Sequence, residues 1–153
     1  MNIPKTYSSK IRNVIFGKSV TYVKPCNLYD CTIGDFSFIG PFVEIQSEVI
    51  VGNNCKIQSH SFICSKVTIG NECFIGHGVT FTNDLFKIGE PSPNESDWLP
   101  TVIENNVSIG SGVTMLPVKV TSGCVIGAGS VVTKDLIIKG IYAGNPAQLI
   151  RKL

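Results

Sequence analysis

Hydrophobic residues return at every sixth position through the middle of the chain, from residue 33 to residue 81. A helix would place them about every 3.6 positions and an amphipathic strand every 2, so a period of six fits neither element. It is typical of a solenoid in which six residues form one structural unit. The period consists of Ile33, Ile39, Ile45, Val51, Ile57, Ile63, Ile69, Ile75 and Phe81, and the residues four places after the first eight are Ser37, Val43, Val49, Cys55, Ser61, Val67, Cys73 and Val79.

Three hexads make one coil of 18 residues in a triangular parallel β-helix. The first residue of each hexad is predicted to point inward, and the small residue four places later to occupy the tight corner. Neighbouring coils would pair at a strand spacing of roughly 4.8 Å. The predicted core columns are Ile33 on Val51 on Ile69, Ile39 on Ile57 on Ile75, and Ile45 on Ile63 on Phe81.

One segment interrupts the period. Residues 82–101 contain three prolines and four acidic residues, so we expect them to leave the rod as a protruding loop. Long loops on rigid scaffolds often carry function. The period then resumes, slips by one residue in MLPVKV, and continues to residue 132; its positions are Ile103, Ile109, Met115, Val120, Ile126 and Val132.

The two ends of the chain depart from the period. Residues 1–19 show no hexad and predict a cap or an arm. Val23, Leu28 and Ile33 are five apart, which predicts a first coil shortened at two corners. Residues 136–153 predict a short C-terminal cap over the open core. The sequence therefore predicts an all-β, single-domain parallel β-helix over residues 1–153.

Composition excludes several classes of protein. Charged residues make up 16% of the 153 residues, and the net charge of +2 is too small to favour nucleic acid as a partner. No apolar run approaches the roughly 20 residues needed to span a bilayer, and the first residues lack the apolar segment of a signal peptide. We therefore expect a cytoplasmic protein that does not enter the membrane.

Cysteines indicate packing rather than chemistry. Three of the six, Cys55, Cys73 and Cys124, occupy the small corner position. The chain has no C-x-x-C pair, which argues against structural zinc, and no metal is expected.

The segments IGSGVTMLPVKVTSGCVIGAGSVVTKDL and AGNPAQLIRKL resemble the hexapeptide-repeat acyltransferases, over roughly residues 20–153. The resemblance implies a left-handed β-helix, although parallel crossovers are otherwise right-handed. More narrowly, IGHGVTFTNDLF, the later DW and the following PT-V resemble enzymes that N-acetylate nucleotide-linked 3-amino sugars, such as dTDP-linked 3-amino-3,6-dideoxyhexoses. This implies acetyl-CoA as co-substrate, direct attack by the amine, a role in surface-polysaccharide sugar biosynthesis, and a homotrimer with sites between subunits.

Candidate chemistry gathers where the period breaks. His77 precedes the loop and could act as a general base near neutral pH; otherwise it is an exposed strand histidine. Asn83 could orient the acceptor or the thioester, and Asp84 could hold the amine, although both residue types also stabilise turns. His60, nearly one coil earlier, and Trp98, which could lie under a nucleobase or a neighbouring subunit, complete the predicted substrate site.

The resemblance also places coenzyme A along the C-terminal coils. Backbone groups would meet the pantetheine arm where small residues allow close approach, and cations would pair with the phosphates. The predicted cofactor-binding residues are Gly110, Ser111, Gly127, Ala128, Lys134, Lys139 and Arg151.

Three alternatives to this function stay open. An O-acetyltransferase acting on a sugar or small alcohol would depend more strongly on His77 as base. A hydratase similar to γ-type carbonic anhydrases would need three histidines around zinc, and this chain has two. A non-catalytic scaffold is the third. Outward aromatic residues favour a symmetric homo-oligomer in any case; they include Phe36, Phe38, Phe42, Phe62 and Phe74.

Overall fold

The structure is a computed structural model, and it describes residues 10–153. Short parallel strands wind into a left-handed β-helix with three flat sheets. The predicted fold class is confirmed. In chain order the strands are β1 (Ile11–Arg12), β2 (Ile15–Phe16), β3 (Thr21–Tyr22), β4 (Asn27–Tyr29), β5 (Thr32–Ile33), β6 (Phe38–Ile39), β7 (Glu44–Ile45), β8 (Ile50–Val51), β9 (Lys56–Ile57), β10 (Phe62–Ile63), β11 (Val67–Ile69), β12 (Phe74–Ile75), β13 (Thr80–Phe81), β14 (Thr101–Ile103), β15 (Ser108–Ile109), β16 (Thr114–Met115), β17 (Lys119–Val120), β18 (Val125–Ile126), β19 (Val131–Val132), β20 (Gly140–Gly144) and β21 (Ala147–Lys152).

Each coil contributes one strand to each sheet. Sheet A has the order β1-β4-β7-β10-β13-β16-β19, sheet B the order β17-β14-β11-β8-β5-β2, and sheet C the order β21-β20-β18-β15-β12-β9-β6-β3. We call the three corners of the rod the AB, BC and CA edges after the sheets they join.

Strand pairing follows the predicted columns. Ile33 pairs with Val51, Ile39 with Ile57, and Ile45 with Ile63. The inward residues are almost completely buried because each one is covered by the coils on both sides. The small corner residues are buried with them, and Cys55, Cys73 and Cys124 are among these.

The rod begins earlier than the sequence predicts. Strands β1 and β2 pair in parallel with β4 and β5, so residues 10–19 belong to the first coil and the prediction of a cap is wrong for them. Residues 1–9 of that predicted cap lie outside the described residues. Tyr22 rather than Val23 pairs with Ile39, so the corner between Tyr22 and Leu28 has its full length.

Every change of coil length among residues 10–153 falls on the AB edge. The BC and CA edges keep six residues between successive core positions from the first coil onward. On the AB edge, one residue is lost between Ile11 and Phe16, between Leu28 and Ile33, and between Met115 and Val120. Two residues are lost between Val132 and Leu136, and the loop of residues 82–100 is inserted between Phe81 and Thr101.

The C-terminal segment closes the core. Leu136 bridges to Val120 and is buried, and Tyr142 of β20 lies buried on sheet C. Strand β21 then turns back and pairs antiparallel with β20. Within the described residues there is no helix that could span a membrane; the one short 3-10 helix, Glu95–Asp97, lies in the loop.

Candidate functional site

His77 projects from the CA edge immediately before β13. Its imidazole is exposed, and Nδ1 lies 2.9 Å from the hydroxyl oxygen of Ser59, which occupies the equivalent position one coil earlier. Either atom can donate, depending on the tautomer of the ring. Because Nδ1 is engaged and Nε2 makes no hydrogen bond to residues 10–153, the free nitrogen is the one able to meet a ligand.

His60 lies on the same edge, one coil below His77. Its ring stacks on that of Phe42, with centroids 4.8 Å apart and an interplanar angle of 17°. Both residues have a left-handed backbone, with φ of 64° at His60 and 59° at Phe42. This geometry turns both rings outward from the corner. The structure therefore brings His60 and His77 to one edge, as the sequence predicts for a shared site.

The predicted coenzyme A residues Gly110, Ser111, Gly127 and Ala128 continue this edge above His77. The amide of Gly112 donates to the His77 carbonyl at 2.8 Å, which fixes the two coils against each other.

The glycines have a structural reason of their own. A Cβ on Gly110 would lie 2.5 Å from the Ala128 nitrogen, so this glycine is required by coil stacking rather than by approach of a ligand. Three other glycines on this edge face open space, because no atom lies within 4 Å of their Cβ positions: Gly78, Gly112 and Gly129. The upper CA edge is thus free of side chains at this position.

Asn83 lies on the AB edge, at the opposite end of β13 from the CA edge that carries His77. One chain therefore does not bring these two residues together. The Asn83 side-chain amide donates to the Ser65 carbonyl at 3.4 Å, and its backbone carbonyl accepts from the Leu99 amide at 2.8 Å. Both contacts hold the base of the loop closed.

The Asp84 carboxylate is also occupied within the loop. It accepts hydrogen bonds from the Ser92 amide at 2.7 Å, the Ser92 hydroxyl at 3.0 Å and the Phe86 amide at 2.9 Å. The backbone bonds from Ser92 and Phe86 lower the pKa of Asp84 below its ordinary value. In this arrangement Asp84 organises the loop; a ligand would have to share or replace these bonds.

Trp98 is half-buried where the loop returns to the rod. Lys66 holds this part of the loop, since its Nζ donates to the carbonyls of Glu95 at 2.7 Å and Trp98 at 3.3 Å. A cavity of about 330 Å³ lies between Trp98 and sheet A, and its lining includes Gln46, Phe62, Thr80, Asn83 and Phe86.

The predicted basic residues do not cluster within the chain. Lys134 follows β19 at the AB edge, the side chain of Lys139 passes over Gly123 at the BC edge, and Arg151 belongs to β21 at the end of sheet C. None of these positions is on the CA edge with Gly110 and its neighbours. Within residues 10–153 no three His, Cys, Asp or Glu side chains are grouped to hold a metal ion.

Sequence reasoning missed the partners that hold the site residues. Ser59 stands 18 residues before His77, and Phe42 stands 18 residues before His60, which is one full coil in each case. The coil length therefore contained the signal for both pairs. The Lys66 anchor of the loop had no comparable signal, because its acceptors are carbonyls in a segment without a repeat.

Two sequence families match this repeat. Residues 30–65 match the family described as bacterial transferase hexapeptide (six repeats), and residues 100–134 match the hexapeptide repeat of succinyl-transferase. The chain therefore carries the hexapeptide repeat that both families describe. A Schizosaccharomyces pombe protein that is named as an acetyltransferase is 40% identical to it over 142 residues, which cover 92% of this chain and 54% of that relative. The chain thus spans about half the length of that relative.

Solved structures share the fold. The match to a mutant of AntD, an N-acyltransferase from Bacillus cereus in complex with dTDP and coenzyme A, has a TM-score of 0.81 at 20% identity and covers 92% of this chain and 83% of AntD. Another AntD mutant was solved with dTDP-4-amino-4,6-dideoxyglucose and coenzyme A, with a TM-score of 0.61. A maltose O-acetyltransferase from Clostridium difficile matches at 0.57 and 22% identity, covering 91% of this chain and 71% of that enzyme. At these identities the likeness shows the fold alone.

Proposed function

We propose that the chain is an acetyl-CoA-dependent N-acetyltransferase that acetylates a nucleotide-linked amino sugar, with a dTDP-linked 3-amino-3,6-dideoxyhexose as the expected acceptor. The observation that carries this proposal is the exposed imidazole of His77. It is held through Nδ1 by Ser59 and stands where the CA edge becomes free of side chains. The product would serve surface-polysaccharide sugar biosynthesis.

The proposed reaction is a direct transfer. The neutral amine of the sugar attacks the thioester carbonyl carbon, the C–S bond then breaks, and coenzyme A leaves as the thiolate. The attacking nitrogen loses one proton, and Nε2 of His77 is the proposed acceptor of that proton. Holding the two substrates together supplies much of the rate in such a reaction, so the base makes a limited contribution.

The donor side of the proposal uses the upper CA edge. Because Gly78, Gly112 and Gly129 leave the corner open, an extended pantetheine arm could lie along it beside Ser111 and Ala128. The complexes of AntD with coenzyme A support a thioester donor for this fold.

The acceptor side is supported by the same relative. AntD was solved with a dTDP-linked sugar that carries its amine at position 4, whereas the motifs of this chain resemble enzymes for 3-amino sugars. Both positions belong in the substrate panel of any test.

A homotrimer with sites between subunits would complete the site. Strand β13 separates His77 from Asn83, Asp84 and Trp98 in one chain. If the loop residues take part in catalysis at the CA edge, they must come from a second copy. The same argument applies to Lys134, Lys139 and Arg151 as partners of the coenzyme phosphates, since they lie off this edge.

A second candidate is O-acetylation of a sugar. The hydrogen bond between Ser59 and His77 is the observation that favours it, since a fixed imidazole suits a base that removes a hydroxyl proton during attack. The fold likeness to a maltose O-acetyltransferase is compatible with it.

A thiol-release assay tests the proposal. Acetyl-CoA is offered with a panel of dTDP- and UDP-linked 3-amino and 4-amino sugars and with their hydroxyl counterparts. We expect release with at least one amino sugar and none with the counterparts. If no amino sugar in the panel releases thiol, the proposed function is wrong.

The variants His77→Ala and His77→Gln separate amine from hydroxyl acceptors. Because a neutral amine attacks without prior proton removal, we expect kcat to fall by about tenfold in both, well below the contribution of roughly 100-fold to 10,000-fold typical of an essential base. A loss in that larger range, with His77→Gln as inactive as His77→Ala, would indicate the O-acetyltransferase.

A further inference from the structure

The side chains at the outward corner of the CA edge differ on the two sides of His77. From the coil of His77 upward, the outward corner position is bare glycine in three successive coils, and below that coil the same position carries the rings of Phe42 and His60. Two different kinds of surface therefore meet at the exposed imidazole of His77. An edge that bound only a single extended ligand would not need this change.

The Phe42–His60 stack forms a preformed flat surface. Phe42 supports one face of the His60 ring at 4.8 Å, and 56% of Phe42 is exposed. The next coil places Gly78 above His60, and no atom lies within 4 Å of the Gly78 Cβ position. The upper part of the His60 ring is thus left uncovered by the corner above it.

The position of this surface limits what can bind there. Adjacent coils are separated by roughly 4.8 Å, so a group lying on His60 is within one coil of the His77 imidazole. An amine bonded directly to a sugar ring can react at His77 only if the ring itself is that close. The nucleoside, which lies beyond the pyrophosphate, has no such constraint.

The chemistry of the surface fits a hexose ring as well. A pyranose presents one face of C–H bonds, and a 6-deoxy sugar adds a methyl group, so both would lie on an aromatic ring without leaving a charge unpaired.

We infer that the Phe42–His60 stack is the floor of the acceptor subsite and carries the hexose ring of the nucleotide-linked sugar, an inference that rests on the proposed function for the identity of the ligand. His60 is then a specificity-determining binding residue that holds the ring through its flat face. Its nitrogens take no part in the transfer of the acetyl group.

Proton NMR tests the contact directly, because the chain contains only two histidines. The variant His60→Phe assigns the two sets of imidazole signals by removing one. On adding the dTDP-linked amino sugar without coenzyme A, we expect intermolecular NOEs from the His60 ring protons to C–H protons of the hexose. NOEs to the thymine ring instead, or none at all, would overturn the inference.

Steady-state kinetics provide a matched comparison. Phe36 occupies the same corner position on the BC edge, with φ of 58° and 59% exposure, against 59° and 56% for Phe42. We expect Phe42→Ala to raise KM for the sugar by about threefold to tenfold while KM for acetyl-CoA stays unchanged. Phe36→Ala should change neither value. Equal effects of the two variants would contradict a role of Phe42 in binding.

The conservative variant separates binding from chemistry. His60→Phe keeps a flat ring and is expected to retain kcat and most of the affinity, whereas His60→Ala is expected to raise KM for the sugar. A collapse of kcat in His60→Phe would overturn the inference, since it would give the imidazole nitrogens a catalytic role.

Failure of the inference and failure of the proposed function give different results. Acetyl transfer without NOEs from His60 to the hexose leaves the function standing and removes the inference. NOEs without acetyl transfer retain the sugar subsite and remove the enzyme activity.

Discussion

The AB edge and the CA edge border the same sheet, yet they are built in opposite ways. The AB edge contains every shortened corner and the loop of residues 82–100, whereas the CA edge keeps its hexad length in each coil of the described chain. The regular edge carries an exposed imidazole with a free nitrogen. On the irregular edge, the polar side chains Asn83, Asp84 and Lys66 are engaged with the loop itself.

The difference shows which side chains of a repeat are free of a structural role and can therefore bind ligands. On the CA edge, backbone hydrogen bonds between coils satisfy the main chain, so His77 and His60 are not needed to hold the fold. The loop has no strand ladder, and its backbone groups must find side-chain partners because buried or half-buried donors are costly when unpaired. Asp84 therefore accepts hydrogen bonds from backbone amides of the loop, whereas in the rod the neighbouring coils provide these acceptors.

The largest effect that we predict is the loss of stability when a substitution disturbs the packing of coils at the CA edge. In Gly110→Ala the new Cβ would lie 2.5 Å from the Ala128 nitrogen, a backbone atom that cannot move without shifting the coil. We expect the free energy of unfolding to fall by about 3 kcal/mol. Urea unfolding followed by circular dichroism measures it.

Two glycines serve as controls. Gly112 on the same edge and Gly89 in the loop have φ of 68° and 83°, and no atom lies within 4 Å of either Cβ position. Alanine there introduces only backbone strain of about 1 kcal/mol. If Gly110→Ala lowers the free energy of unfolding no more than these two variants do, the coils at the CA edge can move apart more easily than the short Cβ distance indicates.

The support of His77 by Ser59 should give a smaller effect, on catalysis alone. Ser59→Ala removes the bond to Nδ1, so the imidazole loses the partner that orients its ring. We expect kcat to fall by about fivefold, the equivalent of one hydrogen bond, while KM for both substrates stays unchanged. The matched control is Ser47→Ala, which removes the bond of 3.1 Å between Ser47 and Ser65 on the AB edge. An unchanged kcat in Ser59→Ala would show that the bond does not position the ring.

Much of the rod could be predicted from the sequence, because the period of the hydrophobic residues also determines which residues pair between neighbouring coils. Ile33 pairs with Val51 since a coil of three complete hexads has 18 residues, and the same count places Ser59 under His77. The prediction failed at the first coil, where Tyr22 rather than Val23 is in register. Counting back from Ile33 in equal steps of five assigned one missing residue to each of two corners. Only the AB corner between Leu28 and Ile33 is shortened, and the CA corner between Tyr22 and Leu28 is complete.

The sequence predicts that residues 82–101 form a loop, but it does not predict the hydrogen bonds that hold this loop. Asp84 finds its partner Ser92 eight residues away, and Lys66 finds carbonyls 29 and 32 residues away, with no period to indicate either distance. The sequence placed Asn83 beside His77 because they are near in the chain. A strand of two residues with a corner at each end is enough to put them on different edges.

Acidification should loosen the irregular edge, and this is the smallest effect we predict. The pKa of Asp84 is lowered in the folded protein, so its hydrogen bonds stabilise the loop fully above the ordinary value of about 3.9 and are lost as the pH falls through the lowered value. Trp98 is the only tryptophan, and its fluorescence should shift toward that of exposed indole over this range. In Asp84→Asn, which cannot accept all three bonds, we expect a partial shift already at neutral pH and no further change on acidification. Asp97→Asn is the control, because the Asp97 carboxylate makes no hydrogen bond within the described residues. A wild-type transition that persists in Asp84→Asn would show that another group closes the loop.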